Sequence, residues 1–273
     1  MVANYLVTYK CVNGDWDVLE MVEIEVSDPH YDMSEQFNFD SKENENAGEV
    51  FTDPRDGQTY KTINILKPSS NEIAFRACAE NFNFGTQIKS SEINSDDSKV
   101  EKYCYKDDSW YCDNGFGGLY TWSEAMGFHK ACDTTSVGTT ESCPDTIDTT
   151  ADHFENENLA FDYAQHQGIC PEGWHIMNVI EWKKMKEKSA NSLKSSVVWG
   201  GSNAYNATGM SALPVGRVEE GEFVSFGKFA YFWQPKEYGN EGAKIAGISE
   251  LRWDAEANFA KFYASSVRCV ENY

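Results

Sequence analysis

The chain has 273 residues, of which 41% are hydrophobic and 25% are charged, as in an ordinary globular protein. Its formal net charge of −21 argues against nucleic acid and anionic membrane surfaces as partners, because both attract Lys and Arg. No apolar run approaches the roughly 20 residues that a membrane-spanning helix needs, so we expect a protein that does not span a membrane.

Residues 1–49 are predicted to form a separate N-terminal segment. Residues 4–10 alternate in polarity as a strand does, an Asn-Gly pair follows, and a second strand is expected at residues 18–26. An Asn-Gly pair between two strands indicates a β-hairpin. The charged stretch 40–49 is typical of a linker, so the main domain is expected to cover residues 50–273.

The main domain is predicted to combine turns, strands and short helices. It opens with a Pro-, Asp- and Gly-containing turn at residues 53–57 and continues as a strand over residues 58–66. A helix is expected at residues 121–128 and a further short helix at residues 154–167. The Thr- and Asp-rich stretch 130–153 lacks periodicity, so we expect it to be a surface insertion.

A second main helix is expected to begin at Asn178. Asn178 and Glu181 have the spacing of a capping box, and the lysines up to Lys188 suit the C-terminal end of a helix. Beyond residue 197 we expect short strands and long Gly-rich loops. The sequence therefore indicates an α+β fold with two main helices, short antiparallel strands and long loops.

The eight cysteines are spread along the chain, and no pair has the C-x-x-C spacing of a zinc or thioredoxin-like motif. The five histidines show no i, i+4 pair, so we predict no metal site. Disulfides formed in an oxidising compartment fit this pattern, although eight cysteines allow many connectivities. Our pairing hypothesis joins Cys104 to Cys112, Cys132 to Cys143 and Cys170 to Cys269, and it leaves Cys11 and Cys78 as the two remaining disulfide candidates.

Seven blocks of sequence occur in an order that is typical of one protein family. They are DGQTYKT at 56–62, AENFN at 79–83, GGLYTW at 117–122 followed by Ala125 and Met126, CPEGWHIMNVIEW at 170–182, SALPVG at 211–216, Phe232-Trp233 with Glu237, and SVRC at 266–269. The fourth block resembles the signature C-P-x-G-W-H-L-P-S-x-x-E-W of the Fibrobacter succinogenes major paralogous domain. The resemblance extends over about residues 50–273.

The resemblance implies a C-type-lectin-like fold stapled by disulfides, in which the first and last strands pair. Residues 174–182 and 266–269 are also similar to blocks of the formylglycine-generating enzyme family, whose fold is of this type. Those enzymes use two cysteines in their C-terminal part, where this chain has only Cys269. Since no nucleophile motif is present either, we expect a non-enzymatic protein. The resemblance to the Fibrobacter family implies an envelope-associated role.

Candidate ligand-binding residues lie on several predicted loops. C-type lectins hold calcium and sugar with a Gln-Pro-Asp or Glu-Pro-Asn tripeptide and a later Trp-Asn-Asp, which Gln234-Pro235-Lys236 and Trp253-Asp254 resemble in part. Lys236 places a cation where calcium needs a ligand, which argues against calcium there. Aromatic rings beside acidic groups also suit sugars. The candidates are Trp110, Tyr111, Asp113, Trp199, Gln234, Glu237, Trp253 and Asp254.

Two functions remain open from the sequence. The first is a secreted or cell-surface binding module that adheres to plant cell-wall polysaccharide, and it predicts loss of binding on Trp110→Ala or Trp253→Ala. The second is a structural or assembly subunit that contacts other surface proteins. Calcium is a further possibility for the carboxylates, but no calcium-loop periodicity is present and no other cofactor is expected. No signal peptide is visible, and we expect that it was trimmed.

Overall fold

The structure, a computed structural model, describes residues 4–12, 15–24, 30–37, 47–67, 72–149, 157–185, 188–199 and 204–273. The chain divides into two units, Met1–Asp32 and Met33–Tyr273. In the first unit, β1 (Asn4–Val12) pairs antiparallel with β2 (Asp15–Ile24), which confirms the predicted hairpin strands. The Asn-Gly pair of the predicted turn and residues 40–46 of the predicted linker lie outside the described residues.

The second unit contains the remaining strands and all the helices that the structure describes. The strands are β3 (Phe51–Thr52), β4 (Thr59–Tyr60), β5 (Thr62–Leu66), β6 (Ile73–Cys78), β7 (Thr86–Ile88), β8 (Glu101–Tyr103), β9 (Trp174–Ile176), β10 (Arg217–Glu219), β11 (Glu222–Val224), β12 (Phe229–Glu237), β13 (Gly242–Ser249), β14 (Trp253–Ala260) and β15 (Cys269–Glu271). The α-helices are α1 (Ser109–Tyr111), α2 (Trp122–Met126), α3 (Glu157–Asp162), α4 (Val179–Lys184) and α5 (Ala190–Leu193). The chain thus combines α and β structure, as predicted.

One sheet joins the beginning, the middle and the end of the second unit. Its strand order is β5–β6–β15–β9, and all its pairings are antiparallel. Val270 on the last strand pairs with Ala77 on one side and with His175 on the other. The last strand therefore lies inside the sheet rather than at its edge.

A second sheet, with the order β12–β13–β14, is an antiparallel meander of strands eight or nine residues long. The expectation of short strands beyond residue 197 was wrong for this region. Pro235 suggested a loop, but it lies within β12, where the pairing register shifts between Trp233 and Glu237. Such an irregularity tolerates a residue that lacks an N–H donor. Three smaller pairs complete the strands, of which β7–β8 is parallel.

α2, α3 and α4 occur where helices were predicted but are shorter, whereas the short helices α1 and α5 were not predicted. α2 ends because Gly127 adopts φ +70°, where its N–H donates to the carbonyl oxygen of Glu124 at 3.1 Å. α4 begins with the predicted capping box: the Glu181 N–H donates to Asn178 Oδ1 at 3.0 Å, and the Asn178 N–H donates to Glu181 Oε2 at 2.8 Å. No helix among the described residues is long and apolar enough to cross a bilayer.

The three predicted disulfides are confirmed: Cys104–Cys112, Cys132–Cys143 and Cys170–Cys269. The proposal that Cys78 is a disulfide partner was wrong, because its side chain is a free, fully buried thiol in an apolar cluster beneath β6. Burial raises the pKa of this thiol to about 12, which keeps it protonated and unreactive. The side chain of Cys11 is outside the described part of the chain.

The stretch 130–153 is only partly the surface insertion that was expected. Cys132, Cys143 and Ile147 are buried and belong to the same apolar cluster as Trp122. The Thr- and Ser-rich residues 134–142 between the two cysteines are mostly exposed. The disulfide thus fixes both ends of an exposed loop to the core.

Candidate functional site

The candidates Trp110 and Tyr111 on the Cys104–Cys112 loop, and Asp113 directly after it, occupy different environments. Tyr111 is buried and packs edge-on against Trp110, with 5.2 Å between the ring centroids. Trp110 is half-buried, whereas Asp113 is exposed and accepts a hydrogen bond from Asn83 Nδ2 at 3.3 Å. The aromatic pair is therefore part of the packing of this loop, and the carboxylate faces solvent.

Two further candidates, Trp199 and Gln234, are buried. Trp199 Nε1 donates to the Ala212 carbonyl oxygen at 2.8 Å, and Gln234 Nε2 donates to the Ala255 carbonyl oxygen at 2.6 Å. Trp199, Gln234 and Tyr111 present almost no surface to solvent, so the expectation that their side chains contact a ligand was wrong. Gln234 is hidden because both faces of β12 are covered around it.

The remaining candidates lie on β12 and β14, on either side of β13. Glu237 forms an ion pair with the buried Lys261 and accepts a hydrogen bond from the Val137 N–H at 3.1 Å. Trp253 is half-buried and its Nε1 donates to the Lys188 carbonyl oxygen at 3.0 Å, whereas Asp254 is exposed. The structure therefore does not bring the predicted residues together in one site.

A cleft of about 730 Å³ provides a better candidate site, and none of its lining residues was predicted. We call it the acidic cleft. Its walls are residues 90–94, residues 130–134 and the β10–β11 hairpin, and Phe262 closes one side. Lining residues that carry polar or large side chains are Ser90, Ser91, Glu92, Ile93, Asn94, Tyr103, Thr121, Lys130, Asp133, Thr134, Glu220, Glu222 and Phe262.

The floor of the acidic cleft is a buried network of hydrogen bonds. Asn94 Nδ2 donates to Thr121 Oγ1 at 2.9 Å and more weakly to Glu124 Oε2 at 3.4 Å. Glu124 also forms an ion pair with Lys130, whose pKa is lowered because its ammonium group is partly buried. These contacts hold an amide, a hydroxyl and an ammonium group in fixed positions before any ligand arrives.

Asp133 is the buried carboxylate of the cleft. Its two oxygens accept hydrogen bonds from the Ser123 N–H and Ser123 Oγ, both at 2.8 Å. Burial nevertheless raises the pKa of Asp133 to about 6, because the loss of water outweighs the hydrogen bonds and the charge of Lys130. The carboxyl group therefore changes its charge state near pH 6, the value of its pKa.

The raised pKa of Asp133 gives a testable pH dependence. Between about pH 4 and pH 6 the folded state binds more protons than the unfolded state, so the free energy of unfolding falls as pH rises through this window. We expect Asp133→Asn to remove this pH dependence. The free energy of unfolding of the variant, minus that of the wild type, should therefore increase from pH 4 to pH 7. Urea denaturation of both proteins at half-unit pH steps measures this difference, and a difference that stays constant with pH would contradict the prediction.

The rim of the acidic cleft combines apolar and anionic side chains. Ile93 is 84% exposed and Phe262 is 49% exposed, whereas Glu92, Glu220 and Glu222 add carboxylates. Lys130 is the one ammonium group among the lining residues, and it is paired with Glu124. The cleft can therefore offer apolar contact and hydrogen bonds to an uncharged or cationic ligand, and it disfavours an anionic one.

A metal site is a separate question. Within the described ranges, no group of three or more His, Cys, Asp or Glu side chains is arranged to hold a metal ion. At the tripeptide that resembles the lectin calcium site, Gln234 is buried and Lys236 pairs with Asp162 and Glu256.

The family model of the Fibrobacter succinogenes major domain matches residues 77–271, most of the chain. The chain belongs to this family. Searches among curated proteins and among solved structures gave no match. The resemblance that the seven sequence blocks indicated is thereby confirmed for this family.

The family blocks build the scaffold of this major domain. The buried guanidinium of Arg268, in the SVRC block, donates to Asn81 Oδ1 in the AENFN block and to the Cys78 carbonyl oxygen, both at 2.9 Å. Its burial lowers the pKa to about 10. His175 in the signature block is also fully buried, between Glu181 Oε1 at 2.9 Å and Asn272 Oδ1 at 2.7 Å. His175 is therefore a packed residue of the scaffold.

The acidic cleft lies mainly between the family blocks in sequence, which is why the blocks did not reveal it. Only Thr121 among its floor residues belongs to a block. One local signal was available: Ile93 is a lone large apolar residue in the polar run SSEINSDDS at 90–98. A second was the aromatic pair Phe262-Tyr263, in the region of expected short strands and loops beyond residue 197.

Proposed function

We propose that this major domain is a secreted or cell-surface, non-enzymatic binding module with a C-type-lectin-like fold, and that its acidic cleft binds an uncharged polysaccharide such as a plant cell-wall glycan. The cleft is the observation that carries the proposal. Its floor fixes amide, hydroxyl and carboxyl groups that can bind sugar hydroxyls, and its rim exposes the ring of Phe262. Ligand sites combine apolar walls with a few fixed polar groups in this way.

The charge of the molecule narrows the choice of ligand. The net charge is −21, and the carboxylates of Glu92, Asp133, Glu220 and Glu222 surround the cleft. Anionic polysaccharides would be repelled, whereas uncharged glucans, xylans and mannans would not. The three disulfides support a location outside the reducing cytosol, since such bonds persist in oxidising compartments.

The proposal is tested with a panel of insoluble and soluble polysaccharides, in calcium and in EDTA. We expect retention on at least one uncharged glycan, and about tenfold weaker binding on Phe262→Ala, because an exposed ring at a binding site contributes on the order of 1 kcal/mol or more. Tyr238→Ala is the matched control and is expected to leave binding unchanged, since Tyr238 is an aromatic residue of similar exposure outside the cleft.

Other outcomes decide against the cleft. Loss of retention on Trp110→Ala or Trp253→Ala, with Phe262→Ala unaffected, would locate binding on the surfaces that the sequence suggested. Absence of glycan binding together with a concentration-dependent oligomer in sedimentation would favour the assembly subunit. The 88% exposure of Leu251 and the 84% exposure of Ile93 offer apolar contacts for that alternative.

A further inference from the structure

A lysine, an asparagine and an aspartate form a connected group at the parallel β7–β8 pair. Lys102 Nζ donates to Asn83 Oδ1 at 2.5 Å and to the Asn83 main-chain oxygen at 3.3 Å. The other atom of the same amide, Nδ2, donates to Asp113 Oδ1 at 3.3 Å. The Lys102 amine therefore contacts the carbonyl oxygen of the Asn83 amide, while the Asp113 carboxylate contacts its nitrogen.

The reacting groups are close together and shielded from water. Asn83 is 3% exposed and Lys102 is 8% exposed. Because a carbonyl bond is about 1.2 Å long, Cγ of Asn83 lies within about 3.7 Å of Lys102 Nζ. Reacting atoms held at about this separation have already lost the freedom that makes a bimolecular step slow. Asp113 is exposed, so this side of the group is open to solvent.

We propose that Lys102 and Asn83 are a modification site, at which the lysine Nζ and the asparagine Cγ form an intramolecular amide bond with release of ammonia. In the first half of the step the uncharged amine attacks Cγ, the new C–N bond forms, and an electron pair of the carbonyl bond moves to Oδ1. In the second half the carbonyl re-forms, the Cγ–Nδ2 bond breaks, and Nδ2 leaves.

The protons of this step balance without any other reactant. The lysine nitrogen loses one proton and the departing nitrogen gains one, so that it leaves as ammonia. Asp113 is positioned to carry that proton, since its carboxylate contacts Nδ2 and both nitrogens are attached to the same carbon in the intermediate. A positioned carboxylate that transfers a proton in this way is a general acid–base catalyst.

The environment of Lys102 favours the uncharged amine that the step requires. Burial lowers the pKa of Lys102, and the opposing effects of the Asp113 and Asp56 carboxylates are smaller. A desolvated lysine is a recognised way to obtain a nitrogen nucleophile at neutral pH. The resulting bond would join the AENFN block to β8 and would enclose a segment whose ends are 19 residues apart in sequence.

Intact mass spectrometry of the purified, reduced and alkylated chain tests the proposal. We expect the alkylated chain to be lighter, by the mass of one ammonia molecule, than the mass calculated from its sequence with all eight cysteines alkylated. Trypsin should fail to cleave after Lys102 and should yield one branched peptide that contains residues 83 and 102. Cleavage after Lys194, another buried lysine that donates to an asparagine oxygen, at 3.1 Å to Asn191 Oδ1, serves as the internal control and should be normal.

Two variants separate this chemistry from other routes to the same mass. Lys102→Arg keeps a long basic side chain but lacks the amine that forms the bond, so it should retain the full mass, and Asp113→Asn should slow the loss of ammonia about a hundredfold or more. Closure of Asn83 onto the main-chain nitrogen of Phe84 would also release ammonia, but it would persist in Lys102→Arg and would leave the Lys102 cleavage site intact. That result, or a wild-type chain of full mass, would overturn the proposal.

Discussion

Removal of the Cys170–Cys269 disulfide is expected to lower the free energy of unfolding by about 4–5 kcal/mol. The two cysteines are 99 residues apart in sequence. A cross-link stabilises mainly by restricting the unfolded chain, and this effect grows with the length of the loop that it closes, reaching about 4.7 kcal/mol for a loop of roughly this length. The double variant Cys170→Ala/Cys269→Ala is the test, with urea denaturation as the measurement.

The position of this disulfide adds to its expected effect. Cys269 is the first residue of β15, the strand that lies between β6 and β9, and Cys170 precedes the turn that leads into β9. Both sulfur atoms are fully buried in the cluster that contains Trp122 and Trp174. Without the bond, the last strand must be held in the sheet by its few main-chain hydrogen bonds and by side-chain packing alone.

The Cys104–Cys112 disulfide provides a matched control. Its cysteines are also buried, but they are only eight residues apart in sequence, so the same relation gives about 2.5 kcal/mol. We therefore expect Cys104→Ala/Cys112→Ala to be less destabilised than Cys170→Ala/Cys269→Ala. Equal losses in the two double variants would show that chain entropy is not the main source of the stabilisation.

The disulfides and the signature helix could be predicted from the sequence because their determinants are local or carried by family blocks. Asn178 and Glu181 are three residues apart, and their reciprocal hydrogen bonds depend on little else. Two of the three disulfides close short loops, and the third connects two family blocks. Cys78 was misjudged, since whether a cysteine has a partner depends on what surrounds it in space.

The acidic cleft could not be predicted, because its parts are distant in sequence. Asn94, Asp133, Glu222 and Phe262 meet only after the loops that carry them have folded. Conversely, Gln234 resembled part of a known binding motif but is fully buried. β12 is covered on both faces, so successive residues along it are buried whichever face they point to. The alternation of polar and apolar residues that marks a half-exposed strand is therefore missing, and the burial of Gln234 could not be read from it.

Glu237→Gln is the second change for which we expect a large effect, about 3 kcal/mol or more of destabilisation. Glu237 pairs with Lys261, whose ammonium group is fully buried. The ammonium also donates to the carbonyl oxygens of Cys132 at 3.0 Å and Thr135 at 3.1 Å, and lies 4.5 Å from the ring centroid of Trp122. Replacing the carboxylate leaves a buried charge without its counter-charge, which typically costs 3–5 kcal/mol.

A double-mutant cycle distinguishes this pairing from simple loss of packing. Lys261→Met removes the cation and leaves the Glu237 carboxylate, which is partly exposed and can regain water. We therefore expect a smaller loss of unfolding free energy than in Glu237→Gln. The double variant Glu237→Gln/Lys261→Met should be more stable than the sum of the single losses predicts, because no buried charge remains.

Glu72→Gln is the control for an exposed pair with Lys67 and should cost less than about 1 kcal/mol. Additive losses across the cycle would instead mean that Glu237 acts through its hydrogen bond to Val137, and the exposed loop between Cys132 and Cys143 would then depend on that contact rather than on the ion pair.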